Sequence, residues 1–136
     1  MPEPFTFDLV SPEKLLLSED VEMVVVPGAE GDFGVLIGHA PLISALRPGV
    51  IDTYTGDKVE KRIFVAGGFA EVTGERCTVL AEEAMPVEDI DQAETEARIA
   101  SAREALEQAD NDLARGQAEM ALAVGEAMAA AQGTGV

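Results

Sequence analysis

The chain changes character at Met85-Pro86. From Ile90 onward it contains no proline and no aromatic residue, and alanine dominates. Alanine is the best helix former, whereas aromatic and β-branched residues suit strands, so the break predicts two structural units of opposite type. The fold class read from it is mostly β plus α. A β-sandwich or flattened barrel is expected over residues 1–86, followed by a C-terminal antiparallel two-helix hairpin over 87–136.

Short alternating runs carry the β reading. Phe5, Phe7 and Leu9 alternate with polar neighbours until Ser11-Pro12. Val21 and Met23 lead into Val24-Val25-Val26, which Pro27-Gly28 stops. Ile51, Thr53 and the turn Tyr54-Thr55-Gly56-Asp57 predict a hairpin into Lys58 to Ala66. Gly67-Gly68 opens Phe69 to Thr73, and Gly74-Glu75 turns into Arg76 to Ala81. Many short strands with frequent turn signals imply two packed sheets around one core.

The stretch Pro27 to Val50 is the most tightly punctuated. It holds five of the chain's 13 glycines and three of its seven prolines. Between them lie two apolar runs, Val35 to Ile37 and Leu42 to Leu46, read as strands. Glycine permits positive φ and proline fixes φ near −65°, so this stretch is built to hold a shape. Glu30 and Asp32 sit in its first loop, and His39 is the only histidine.

In the C-terminal part, Ile99, Ala102, Leu106, Ala109 and Leu113 step by three and four, the stripe of an amphipathic helix. Glu94 with Arg98, and Arg103 with Glu107, have the spacing for weak pairing on its polar face. Asp110-Asn111-Asp112 breaks the pattern and offers a cap for a second helix, whose stripe reads Met120, Val124, Ala127 and Ala131. Alanine buries little area, and Gly116 and Gly125 each cost about 1 kcal/mol in a helix interior, so the second helix is expected to be marginal and able to detach.

Composition excludes several classes of partner. A net charge of −17 and a pI near 4.1 argue against nucleic acid and against an anionic membrane surface. No apolar run approaches the ~20 residues that span a bilayer. The acidic opening MPEPFTF lacks the order of a signal peptide. Cys77 stands alone, which excludes an internal disulfide. The expectation is a soluble cytoplasmic chain that reaches a membrane only through protein partners.

No residue pattern supports catalysis. An imidazole can serve as a general base, but His39 lies in a Gly-His-Ala-Pro turn with no nucleophile motif beside it. Gly28 to Gly34 resembles a phosphate loop only in its glycines, since Val35-Leu36 stand where Lys and Ser or Thr belong. Asp110 and Asp112 start like a calcium loop, but Ala114, Arg115 and Ala121 occupy its later positions. Cys77 falls in the alternation Cys77-Val79-Ala81 and reads as core. Glu82-Glu83 reads as a solvated strand end, and Gly67-Gly68 as tight strand geometry or a close partner contact. No catalytic residue, cofactor or metal is expected, and the chain reads as a binding module.

The run GAEGDFGVLIGHAPLISALRPGVI resembles the pattern G-x-E-G-x-x-G…G-H-A-P-L…(K/R)-P-G of the epsilon subunit of bacterial F-type ATP synthases. The likeness extends from Phe5–Glu13 through Phe64–Val72 and Val79–Glu82 to Asp89-Ile90-Asp91. It implies a non-catalytic central-stalk subunit of the rotor, peripheral on the cytoplasmic side of the inner (plasma) membrane. Such a subunit binds the gamma subunit and the c-ring, couples proton flow to ATP synthesis, and presents its hairpin to the alpha and beta subunits. By matching position, Glu30, Gly31 and Asp32 belong to the loop facing the c-ring, and His39 lies near gamma. Two departures bear on regulation. Some relatives bind ATP through Ile or Leu, Asp, two residues, Arg, Ala; Ile90 and Asp91 match, but Glu94 and Thr95 replace the last pair. Inhibitory relatives carry basic residues on the second helix, whereas nothing after Arg115 is basic. Nucleotide binding and strong inhibition of ATP hydrolysis are therefore not expected. The competing reading is an acidic adaptor of an unrelated complex.

Overall fold

A computed structural model describes residues 3–133. Met1 and Pro2, the first residues of the acidic opening, and 134–136, the end of the expected hairpin, lie outside the described residues. The chain divides into two compact units, Met1–Pro86 and Val87–Val136.

The first unit contains ten strands: β1 (Phe5–Val10), β2 (Leu15–Val21), β3 (Met23–Gly28), β4 (Gly31–Val35), β5 (Leu42–Leu46), β6 (Gly49–Thr55), β7 (Lys58–Val65), β8 (Gly68–Val72), β9 (Arg76–Ala81) and β10 (Ala84–Pro86). Hydrogen bonding orders them β10-β7-β6-β3-β5-β8-β9-β1-β2, with β4 on β3. Every pairing is antiparallel except β1 with β9. The β3–β5 link is the single pair Gly28↔Leu46. There the sheet folds over, placing β10-β7-β6-β3-β4 in one layer and β5-β8-β9-β1-β2 in the other. This is the sandwich read from the sequence.

Alternation turns one side of each strand inward. Phe5, Phe7 and Leu9 of β1 meet Val24 and Val26 of β3, Ile51 and Ile63 of β6 and β7, and Cys77, Val79 and Ala81 of β9 in one buried cluster. Across the open edge, Lys61 of β7 donates to Glu19 of β2 at 2.8 Å, tying the layers. One strand reading needs correction. Val35 to Ile37 is not a strand: β4 ends at Val35, and Leu36 and Ile37 are exposed. Beyond Val35 the chain must turn, because Gly38 takes positive φ and its N–H bonds Gly74 O at 2.8 Å.

Cys77 is fully buried, and burial, aided by the charge of Asp8, pushes its thiol up to about 12. The unfolded thiol titrates near 9.0. A raised folded pKa means that the contribution is complete below pH 9 and is lost as pH rises from there through 12. The stability advantage of the native chain over Cys77→Ala, from thermal melts, should therefore shrink across that window. A constant difference would show that Cys77 does not titrate this way.

In the second unit a 3₁₀ turn, Val87–Asp89, precedes α1 (Gln92–Gln108) and α2 (Asp112–Gly133). Asp91 caps α1, its carboxylate accepting from the N–H groups of Ala93 and Glu94 at 2.8 and 3.3 Å. Asn111 does the same for α2, accepting from Ala114 N–H at 2.7 Å. The helices cross closely at Gly125, where an added Cβ would lie 2.8 Å from Ile99 Cγ1. At the open end, Gln132 Nε2 donates to Ile90 O at 2.9 Å.

Two stripe positions are corrected. Leu113 belongs to the first turn of α2 and is 73% exposed, and Met120 is 57% exposed. Val124 and Ala131 of the α2 stripe are buried, and the side of α2 turned to α1 runs through Gly125, with Ala118 and Gln132 seven residues away on the same face.

Candidate functional site

Glu30 lies at the tip of the two-residue turn that joins β3 to β4, closed by the pair Gly28↔Gly31. Gly31 has φ +146°, and an added Cβ at Gly28 would stand 2.6 Å from Gly31 O, so both glycines serve the turn. Glu30, Gly31 and Asp32 are exposed.

Arg47, at the end of β5, holds this turn. Its Nη1 donates to Gly28 O, its Nη2 donates to the Asp32 carboxylate, and its backbone N–H donates to Pro27 O at 3.0 Å. A half-exposed ion pair contributes about 0–1 kcal/mol, so the fork's chief effect is orientation. Arg47 was missing from the residues picked out by sequence; the signal was a lone cation beside an acidic loop.

His39 lies at the other end of β4. Strand rise alone separates Gly31 from Val35 by roughly 14 Å. The structure therefore brings Glu30, Gly31 and Asp32 together and places His39 apart from them. Half-buried, His39 has Nδ1 2.8 Å from Ala40 O; a carbonyl can only accept, so Nδ1 bears the proton and Nε2 is left for an outside partner.

A third feature escaped the sequence reading altogether. On the outer face of the second layer, cross-strand pairs align Ala45, Phe69, Leu80, Val10 and Leu15 in one row. Phe69, Leu80 and Leu15 are 56%, 45% and 58% exposed, and Ile43 beside them is 72% exposed. The next row is polar: Glu71, Thr78, Asp8 and Ser18, where Asp8 accepts from Ser18 and Arg76. At its β5 end the apolar row reaches the acidic turn, since Ala29 N–H bonds Ala45 O at 2.9 Å. The strip is contiguous and apolar with a polar border, the composition that in general distinguishes interaction surfaces from ordinary protein surface.

In the helical unit a shallow groove is lined by Gln92, Thr95, Glu96, Ile99, Ala129 and Gln132, with no cation among them. Asp91 is committed to capping, and Thr95 Oγ1 donates to Asp91 O at 2.8 Å. Among the described residues no cluster of His, Cys, Asp and Glu is arranged to hold a metal, and no helix is long and apolar enough to cross a membrane.

Residues 4–87 match the family model described as ATP synthase, Delta/Epsilon chain, beta-sandwich domain. The chain is 54% identical to the ATP synthase epsilon chain of Rhodospirillum rubrum, over 97% of this chain and 98% of that one. It is 57% identical to the epsilon chain of Paramagnetospirillum magneticum, over 96% and 98% of the two chains. The chain belongs to the ATP synthase epsilon-chain family.

Solved structures agree with the epsilon-chain assignment. A chain in the Euglena gracilis mitochondrial ATP synthase structure, described as OSCP/F1/c-ring, superposes with a TM-score of 0.80 at 30% identity, covering 96% of this chain and 82% of that one. A chain of the Tetrahymena thermophila mitochondrial ATP synthase central stalk and c-ring superposes at 0.72 over 96% and 98%, and at 13% identity shares the fold. The epsilon-family fold, a β-sandwich followed by two helices, is the architecture found here.

Proposed function

We propose that this chain is a non-catalytic central-stalk subunit that docks on the gamma subunit through the apolar row Ala45–Phe69–Leu80–Val10–Leu15. The exposure of that row carries the reading: large apolar side chains stand where alternation calls for polar ones. The adjoining turn Glu30–Gly31–Asp32, fixed by Arg47, faces polar or basic loops of the c-ring, where complementary charge sets register. His39, with exposed Leu36 and Ile37, forms a separate contact toward gamma. Attachment to the cytoplasmic face of the inner (plasma) membrane is then through protein alone, and the subunit couples proton translocation to ATP synthesis.

The hairpin regulates ATP hydrolysis weakly at most. Its last basic residue is Arg115, so an acidic surface on alpha or beta finds no basic row on α2. The groove between the helices offers no cation for a triphosphate.

The test is the double substitution Phe69→Lys with Leu80→Lys. Both side chains point outward, so the melting temperature should hold. Affinity for purified gamma, measured by calorimetry, should fall by about tenfold or more. Unchanged affinity in a folded variant would remove the row from the interface.

A further inference from the structure

Two side-chain oxygens inside the sandwich have no hydrogen-bond partner among the described residues: Oγ1 of Thr53 on β6 and Oε1 of Glu19 on β2. Thr53 is fully buried, and its strand neighbours are Val24 of β3 and Lys61 of β7. A buried hydroxyl or carboxylate oxygen left unpaired is costly, so each of the two calls for a partner.

The topology brings the two oxygens to one place. Residues paired across neighbouring strands share a face, so the Lys61 side chain leaves β7 on the inner face with Thr53. Alternation along β2 sets Leu17, Glu19 and Val21 inward, where Leu17 and Val21 pack with the core. Lys61 Nζ then donates to the other oxygen of Glu19, Oε2, at 2.8 Å. β2 lies alongside β6 at this open edge without joining it in the sheet. A few residues further on the edge is closed: Glu22 N–H donates to Tyr54 O at 2.9 Å, and Gly56 N–H donates to Glu22 Oε1 at 2.7 Å. Thr53 and Glu19 continue that polar seam toward the core.

The donor set selects the ligand. Oε1 of Glu19 requires a donor, and the Thr53 hydroxyl can donate or accept. Lys61 already offsets the carboxylate charge, so a neutral ligand fits better than a metal ion. The two oxygens do not bond each other directly, and the ligand must both donate and accept within a closed seam. Water meets every one of these conditions. We infer that the seam between β2 and β6 is a binding site for one ordered water, which donates to Glu19 Oε1 and accepts from the Thr53 hydroxyl. The resulting chain, Lys61–Glu19–water–Thr53, clasps the terminal strand β2 to the first layer. It faces inward, so it does not depend on the outward apolar row.

The test pairs a crystal structure of the full chain, at a resolution that shows ordered water, with thermal melts of two variants. One density peak should lie within hydrogen-bond reach of both Glu19 Oε1 and Thr53 Oγ1. Thr53→Val keeps the shape of the side chain and removes the hydroxyl. If a water joins the two residues, that substitution leaves it and Glu19 short of a partner, and the melting temperature should fall by about 5 °C or more. If the hydroxyl is instead unpartnered, a methyl group in its place should raise the melting temperature. In a Glu19→Met background the water has no carboxylate to serve, so Thr53→Val should no longer lower it. A direct Thr53–Glu19 hydrogen bond, a seam with no peak, or a Thr53→Val chain that melts at or above the native one would each overturn the inference.

Discussion

Replacing Gly68 by alanine should lower the melting temperature of the sandwich by more than about 10 °C, since a domain of this size loses roughly 4–8 °C per kcal/mol. Gly68 is paired with Ala81 at the start of β8 and has φ +138°. An added Cβ would press inside contact distance of Leu80 O and come within 3.0 Å of Leu80 C and 3.1 Å of Ala81 Cα. These are backbone atoms of a central strand, so no rotamer change relieves them. Left-handed strain and overpacking each cost about 1–3 kcal/mol, which together account for the expected loss. Gly74 is the control: it sits in the next turn without positive φ, and an added Cβ meets nothing within 4 Å. Gly74→Ala should melt within a degree or two of the native chain. Equal melting of both variants in a calorimetric scan would refute the account of Gly68.

That glycine shows what the sequence could convey. The motif Gly67-Gly68 left two readings open, strand geometry or a partner contact, and the β8–β9 register selects the first. Strand existence was legible because Phe5, Phe7, Leu9 and Cys77, Val79, Ala81 alternate cleanly, and turns were legible at Ser11-Pro12 and Thr55-Gly56-Asp57. Val35 to Ile37 misled because a short apolar run does not distinguish a buried strand from an exposed corner.

The outward apolar row was invisible for a related reason. Phe69 and Leu80 are apolar in the outward phase, and only the register aligns them with Val10 and Leu15, which lie far away in sequence. Arg47 likewise reaches the acidic turn only because β5 meets β3 at Gly28↔Leu46. Within the hairpin, alanine lies on every side of α2, so apolar periodicity fits more than one face. Met120 and Leu113 are exposed, whereas Val124 and Ala131 of the expected α2 stripe are buried, and Gly125, read as a defect, marks the close approach to α1.

Gly125→Leu should therefore separate the helices, costing on the order of 3 kcal/mol by overpacking a contact that has no room. The position is tight because α1 crosses there. A Cβ alone would sit 2.8 Å from Ile99 Cγ1 and 3.6 Å from Ile99 N. Any larger side chain must push α1 away, which also breaks the Gln132–Ile90 hydrogen bond at the open end. The diagnostic is a reversal of sign. Gly125→Ala gains about 1 kcal/mol in helix propensity but meets Ile99, so it should destabilise the native hairpin. In an Ile99→Ala background the obstruction is gone, and the same substitution should stabilise it. Gly116, where an added Cβ meets nothing within 4 Å, should simply gain from alanine. Amide exchange across residues 92–132 measures all four backgrounds, and the coupling energy follows from the cycle. Additive effects of Gly125→Ala and Ile99→Ala would mean that the two residues do not share a contact. A non-additive pair with inverted sign would make Gly125 the position that keeps the two helices together.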